Sequence, residues 1–190
     1  GTELANAFGE VLYRRGKVAE AEAAFQRALA GGASDSLTAR YNLAVLRYER
    51  GATDSATTLF RQVANASTAR GLTAGQLTAV GSAYRYLGRD APQLFRAALA
   101  AFDAATAADS ADPEPRRRVG ALFLEKYNGA DARETFEALL KTNPSDPWAL
   151  LGAARARQFA GEAGAEALVR RSLRTNPSFV DARVLLATSF

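Results

Sequence analysis

At 190 residues, with 48% hydrophobic and 23% charged side chains, the chain has the balance of an ordinary soluble globular protein and length enough for one elongated domain. It holds no cysteine and no histidine, which removes disulfides, thiolate nucleophiles, histidine-based triads and the usual zinc constellations. The net charge of +4 is spread evenly: residues 1–110 carry 12 basic and 10 acidic side chains, and 111–190 carry the same, so despite the local cluster Arg116-Arg117-Arg118 neither half is a basic arm suited to nucleic acid.

Apolar residues at helical spacing predict helices over 2–15, 18–31, 35–50, 53–69, 73–87, 91–108, 113–127, 129–141, 146–160, 162–174 and 178–190, with no competing strand pattern. Gly16, Gly51 and Gly88 mark where a helix must stop. Thr73-Ala-Gly-Gln76 reads as a capping box, Asp146-Pro147 as a cap followed by a first-turn proline, and Ser178-x-x-Asp181 as a variant of the same device. Ala66–Gly71 reads as a longer turn within a continuing domain. About five extra residues around Arg89–Gln93 are expected to lengthen the following helix by roughly 7 Å and to protrude, as a tolerated insertion or as a contact site. No membrane span or signal peptide is visible, so no membrane insertion is expected.

The chain repeats itself. Leu140-Lys-Thr-Asn-Pro-Ser-Asp146 returns 33 residues later as Leu173-Arg-Thr-Asn-Pro-Ser-Phe179. Phe25, Phe60, Phe102, Phe136 and Val169 recur at steps of 35, 42, 34 and 33, each three residues before Ala28, Val63, Ala105, Leu139 or Ser172. A second series of large-then-small pairs opens each repeat: Phe8-Gly9, Leu43-Ala44, Val80-Gly81, Val119-Gly120, Leu151-Gly152 and Leu186-Ala187. A short helical hairpin cannot bury its apolar stripe alone, so neighbours must stack into a continuous core. Mid-helix Gly9, Gly81, Gly120 and Gly152 each cost about 1 kcal/mol against alanine, which calls for a packing reason, with the phenylalanines as wedges in the holes they leave.

These residues resemble the tetratricopeptide repeat. Trp148-x-x-Leu151-Gly152 matches the opening of its signature, while Ala132, Phe136, Leu139 and Pro144, and again Ala21, Phe25 and Ala28, match its second half. The pattern departs where the signature tyrosine is Arg155, where Val169 and Ser172 stand for Phe and Ala, and where the early repeats lack the proline. The resemblance covers essentially the whole chain. It implies an all-α right-handed superhelical solenoid in one domain, 1–190, with repeats near 2–34, 35–72, 73–111, 112–144 and 145–177 and a half repeat at 178–190. It also implies a non-catalytic interaction module whose first helices line a groove for a peptide or helix of a protein partner.

By phase, the groove residues would be Asn6, Glu10 and Tyr13, then Tyr41, Val45 and Tyr48, then Thr78, Ser82 and Arg85, and finally Arg117 and Arg157. Aromatic rings beside arginines favour a partner with apolar anchors and some acidic character; alternatively, the tyrosines simply cover helix seams with the hydroxyl wet. Some family members clamp a terminal carboxylate with Lys and Asn, and here Asn42 alone coincides, with Glu10 where the clamp needs Asn.

No cofactor or metal is expected. Glu125, Asp131, Glu134 and Glu137 lie along polar helix faces beside Lys126, Arg133 and Lys141, an ion-paired surface with no catalytic convergence, and no phosphate-cradling loop occurs. Residues 122–154 also resemble the repeat region of large bacterial proteins that carry a metallopeptidase-like domain, which would make the chain an accessory arm of such an enzyme. There is no methionine, the chain enters directly on a repeat, and nothing after Arg183 is charged, so the sequence reads as cut from a longer chain, with Leu185, Leu186 and Phe190 as a candidate self-association end. Compartment, whether bacterial cytoplasm or periplasm, stays open.

Overall fold

The computed structural model describes residues 1–31, 36–89 and 91–189; Asp90 of the expected protrusion and Phe190 of the expected self-association end lie outside the described residues. All regular structure among the described residues is helical. The α-helices are α1 (Thr2–Arg14), α2 (Val18–Ala30), α3 (Ser36–Glu49), α4 (Thr53–Ala64), α5 (Ala74–Leu87), α6 (Leu94–Ala108), α7 (Glu114–Glu125), α8 (Gly129–Thr142), α9 (Pro147–Phe159), α10 (Ala165–Thr175) and α11 (Val180–Ser189). They pair into helical hairpins, α1 with α2 through α9 with α10. The fold is thus an all-α helical repeat. It divides into two compact bodies, Gly1–Asp109 with α1 to α6 and Ser110–Phe190 with α7 to α11.

The second helix of each hairpin buries one stripe at i, i+4, i+7: Ala21, Phe25 and Ala28 in α2, Ala56, Phe60 and Val63 in α4, Ala98, Phe102 and Ala105 in α6, Ala132, Phe136 and Leu139 in α8, and Ala165, Val169 and Ser172 in α10. Buried Ser172 keeps the alanine slot tolerable by donating its hydroxyl to the Pro147 carbonyl at 2.8 Å.

The wedges sit in the glycine holes. A Cβ added at Gly9 would lie 2.6 Å from the Phe25 ring, one at Gly81 2.7 Å from Phe102, and one at Gly120 2.6 Å from Phe136. Phe136 also presses on Gly152, so a single ring fills two holes, in α7 and α9.

Helix ends follow a repeated motif. Gly16, Gly51 and Gly161 take left-handed φ of 75°, 80° and 68°. In each case the next residue's N–H reaches back to close a Schellman turn: Lys17 to Leu12, Ala52 to Arg47 and Glu162 to Arg157, all at 2.9 Å. The fourth hairpin makes the same turn with Tyr127, at φ 59°, although its ring is 81% exposed. Gly88 breaks the series with φ −70°. There Ala91 and Pro92, two of the extra residues, accept from the start of the next helix: Leu94 donates to Ala91 and Phe95 to Pro92. They therefore lengthen the connection and not the helix: α6 starts at Leu94 and has 15 residues against 14 in α8.

Two further local expectations differ. The helix expected over 53–69 ends at Ala64 and tightens into a 3-10 turn, Asn65–Thr68, held by Tyr84, whose hydroxyl bonds the Ala64 carbonyl at 3.2 Å and the Ser67 hydroxyl at 2.9 Å. Ser178 does not cap α11, because the helix begins at Val180 and the Ser178 hydroxyl donates instead to Asn176. The Thr73 and Gln76 capping box and the Asp146 cap are formed as read.

Phe136→Ala is expected to lower stability by about 3 to 5 kcal/mol, and Gly152→Ala by about 1 to 3 kcal/mol, in urea unfolding; near-wild-type midpoints would refute the wedge. Tyr127→Gly should raise stability by about 1 kcal/mol, because it relieves a bulky left-handed residue, whereas a lowered melting temperature would show that ring contacts outweigh the strain.

Candidate functional site

In the first body, the first helices α1, α3 and α5 bring most of the predicted residues together. Asn42 on α3 donates to Asn6 at 3.0 Å and to Glu10 at 2.9 Å, and Asn6 donates to Glu10 at 3.1 Å, a polar strip that joins α1 to α3. The Asn42 amide is thereby spent within the chain, with Glu10 as its acceptor. One helical step on, the Tyr13 hydroxyl donates to the Glu49 carboxylate. Burial first, and then the Glu49 carboxylate, push the Tyr13 phenol well above its usual range.

Next to this strip lies an aromatic cluster. The Tyr86 ring of α5 stacks on Phe60 with centroids 4.4 Å apart and planes 12° apart. Tyr48 meets Tyr86 edge-on at 5.2 Å, and Tyr41 meets it at 6.5 Å. Phe60 is core, while Tyr41, Tyr48 and Tyr86 are half-buried above it. Two guanidinium groups border the rings. Arg85 lies 5.8 Å from the Tyr86 centroid, and exposed Arg89 lies 5.6 Å from that of Tyr48 while donating to its hydroxyl at 2.6 Å. The tyrosines therefore seal the α3 and α5 seam and also present edges and hydroxyls beside positive charge.

Phase alone missed Tyr86 and Arg89. The positions follow steps of four and then three, as in Tyr41, Val45 and Tyr48, which selects Arg85; a second step of four from Thr78 and Ser82 reaches Tyr86. Arg89 arrives from the connection that the extra residues lengthen.

Other predicted residues are placed differently. Val45 packs partly buried against the core. The Thr78 hydroxyl is turned to the Ala74 carbonyl of its own helix at 2.8 Å. Ser82 is buried at 1% exposure and offers no hydroxyl to a ligand. In the second body, Arg117 is consumed by structure: it donates to buried Asp146 through Nε at 3.0 Å and Nη2 at 2.7 Å, and lies 4.8 Å from the Trp148 centroid. The other Asp146 oxygen caps α9 through the Trp148 and Ala149 N–H groups. Arg157 is tied to the turn after α9 by its contact with the Ala163 carbonyl.

Over residues 6–70 and 93–147 the sequence matches the model of the tetratricopeptide repeat, and the chain belongs to that family. No curated protein matches it in sequence. Among solved structures it is similar to a thermophilic tetratricopeptide repeat protein of Thermus thermophilus, at TM-score 0.77 and 22% identity, covering 98% of this chain and 97% of that one. It is also similar to PilW, described as a widely conserved type IV pilus biogenesis factor, at TM-score 0.67 and 20% identity over 97% of this chain and 82% of the other. A third is YrrB, described as having an unusual peptide-binding site, at TM-score 0.54 and 18% identity over 95% and 89%. These identities establish a shared fold. Proteins of this family are generally non-catalytic interaction modules, which directs attention to a protein or peptide partner. Among the described residues no helix is long and apolar enough to cross a membrane.

The raised Tyr13 ionisation sets an alkaline test. Below about pH 10 the phenol is neutral folded and unfolded; above it the unfolded phenol ionises while the folded one holds its proton, so this contribution is lost as pH rises. The stability difference between wild type and Tyr13→Phe should shrink from about pH 9 to about pH 11, and a constant difference would show that Tyr13 is not held neutral by the fold.

Proposed function

We propose that the chain is a protein-interaction module that binds a peptide or helix of its partner on the first-helix face of its first body, over Tyr41, Tyr48 and Tyr86. The observation that supports this most directly is the half-buried aromatic cluster bordered by Arg85 and Arg89. Rings fixed from below by Phe60 lose little conformational freedom on binding, and guanidinium groups at their edge suit an acidic neighbour of an apolar anchor. The polar strip of Asn6, Glu10 and Asn42 would flank such a ligand and set its direction by hydrogen bonds. The fit differs from a terminal-carboxylate clamp, because Asn42 is already bonded to Glu10. Within a larger bacterial enzyme the same face would recruit substrate, and the two settings differ only in what else the gene encodes.

Selection of a phage-displayed random peptide library on the purified chain tests the reading. Enriched peptides should pair aromatic or aliphatic residues with Asp or Glu. Their affinity should fall about tenfold or more for an Arg85→Glu, Arg89→Glu variant, which changes the border and leaves the ring stack in place. Peptides that bind wild type and variant equally would place the working surface elsewhere.

A further inference from the structure

Across the first-helix face of the first body, charge is sorted by sign. On α3, Tyr41 and Tyr48 stand about two turns apart on the line that faces α5, where both meet Tyr86. Asn42 and Glu49, each one residue further on, form the neighbouring line that faces α1. There Asn42 donates to Glu10 at 2.9 Å, and the Tyr13 hydroxyl donates to Glu49. From α1 to α5 the face therefore passes from the carboxylates of Glu10 and Glu49, over the rings, to the guanidinium groups of Arg85 and Arg89.

Neutral groups hold these charges in place. Glu10 accepts from the amides of Asn6 and Asn42, Glu49 accepts from a phenol, and Arg89 donates to one. No ion pair among the described residues includes Glu10, Glu49 or Arg89. Glu22, in the same body, is treated differently, since Arg47 and Arg50 both close on it. A charge fixed by neutral partners keeps its field for a ligand, and opposite fields on either side of an apolar strip dictate the order of the ligand's own charges. Glu49 and Arg89 are exposed, and Glu10 is half-buried, so a ligand's side chains can reach both flanks.

We propose that the partner segment bound on this face is extended and carries both signs of charge: a basic residue that reaches Glu10 and Glu49, an aromatic or aliphatic anchor over Tyr41, Tyr48 and Tyr86, and an acidic residue at Arg85 and Arg89. The inference rests on the aromatic cluster being the binding surface, and adds to that reading the basic residue, which the carboxylate flank calls for. The two flanks lie in successive gaps between first helices, one interaxial spacing of about 10 Å apart. An extended chain rises about 3.3 Å per residue, so about three or four residues separate the ligand's base from its acid, with the anchor between them.

A phage-displayed random peptide library is selected in parallel on the purified chain and on two variants. Glu10→Gln, Glu49→Gln removes both negative charges and keeps a side-chain oxygen for Asn42 and for Tyr13; Arg85→Glu, Arg89→Glu reverses the other flank. Should the glutamine pair alter the circular dichroism spectrum, Glu49→Gln alone, at the exposed position, replaces it. Wild type should enrich peptides with Lys or Arg on one side of an apolar residue and Asp or Glu on the other. The glutamine variant should keep the apolar and acidic pair and lose the base, and the glutamate variant should lose the acid. In titrations with a wild-type-selected peptide, replacing its base by serine should weaken binding to wild type about fivefold or more and leave binding to the glutamine variant unchanged. Selected peptides that pair an apolar residue with an acid but lack a base, or a base whose removal costs the same on both proteins, overturn this inference and leave the binding surface standing. Peptides that bind all three proteins equally overturn both. A mass by light scattering that grows with concentration, and stays monomeric in the glutamate variant, overturns it in favour of a second copy as occupant.

Discussion

The contact of a phenylalanine ring with a glycine-sized gap in the facing helix is the constraint on which the rest of this fold depends. A first helix can approach its neighbour only where a side chain is missing, and the neighbour must fill that gap with something large and flat. Gly9 with Phe25, Gly81 with Phe102, and Gly120 and Gly152 about Phe136 are four instances of one solution. Because both partners recur in step, glycine and ring meet in the same register within each body, and the neighbouring surfaces of that body take their orientation from the seam. The second hairpin is the exception that shows the rule. Ala44 replaces the glycine, and Phe60 turns part of its face to the stack with Tyr86.

Beside that hairpin stands an aromatic cluster on the first-helix face of the first body. Tyr86 gives the Phe60 ring a flat partner, with Tyr41 and Tyr48 closing around. Arginines sort by the same logic of what the core leaves over. Arg117 neutralises buried Asp146, whose other oxygen caps α9, so its charge is an internal necessity: a buried carboxylate without a cation is costly. Arg47 and Arg50 close on Glu22, and Arg133 on Glu162. Arg89 has no such duty toward an acid among the described pairs and spends one donor on a tyrosine hydroxyl, which leaves a positive edge beside apolar rings.

Repetition made the fold legible in the sequence and made the site partly illegible for the same reason. Phase located the helices to within a few residues, the glycine holes and their wedges, because each is stated four or five times over. It also carried side chains into equivalent positions without regard to what they touch, which is why Ser82 and Arg117 were placed with Tyr41 and Tyr48. Ser82 is buried, and Arg117 answers to a residue 29 positions away. Tyr86 lay off the phase by one residue, at a helical step of four from Ser82, and only its stack on Phe60 reveals it. Arg89 could not be found by phase at all, since it belongs to residues that interrupt the repeat. Tyr127 was hidden in the opposite sense, as it fills a left-handed position that the other hairpins give to glycine.

Departures from the repeat thus carry more functional information than the repeat itself. The extra residues before α6 and the left-handed Tyr127 are two such departures, and the Phe60 stack with Tyr86 is a third. In the aromatic cluster the rings are already supported from below by Phe60 and present edges and hydroxyls. A ligand there would gain most from a few well-aimed contacts, since the rings are held in place before it arrives.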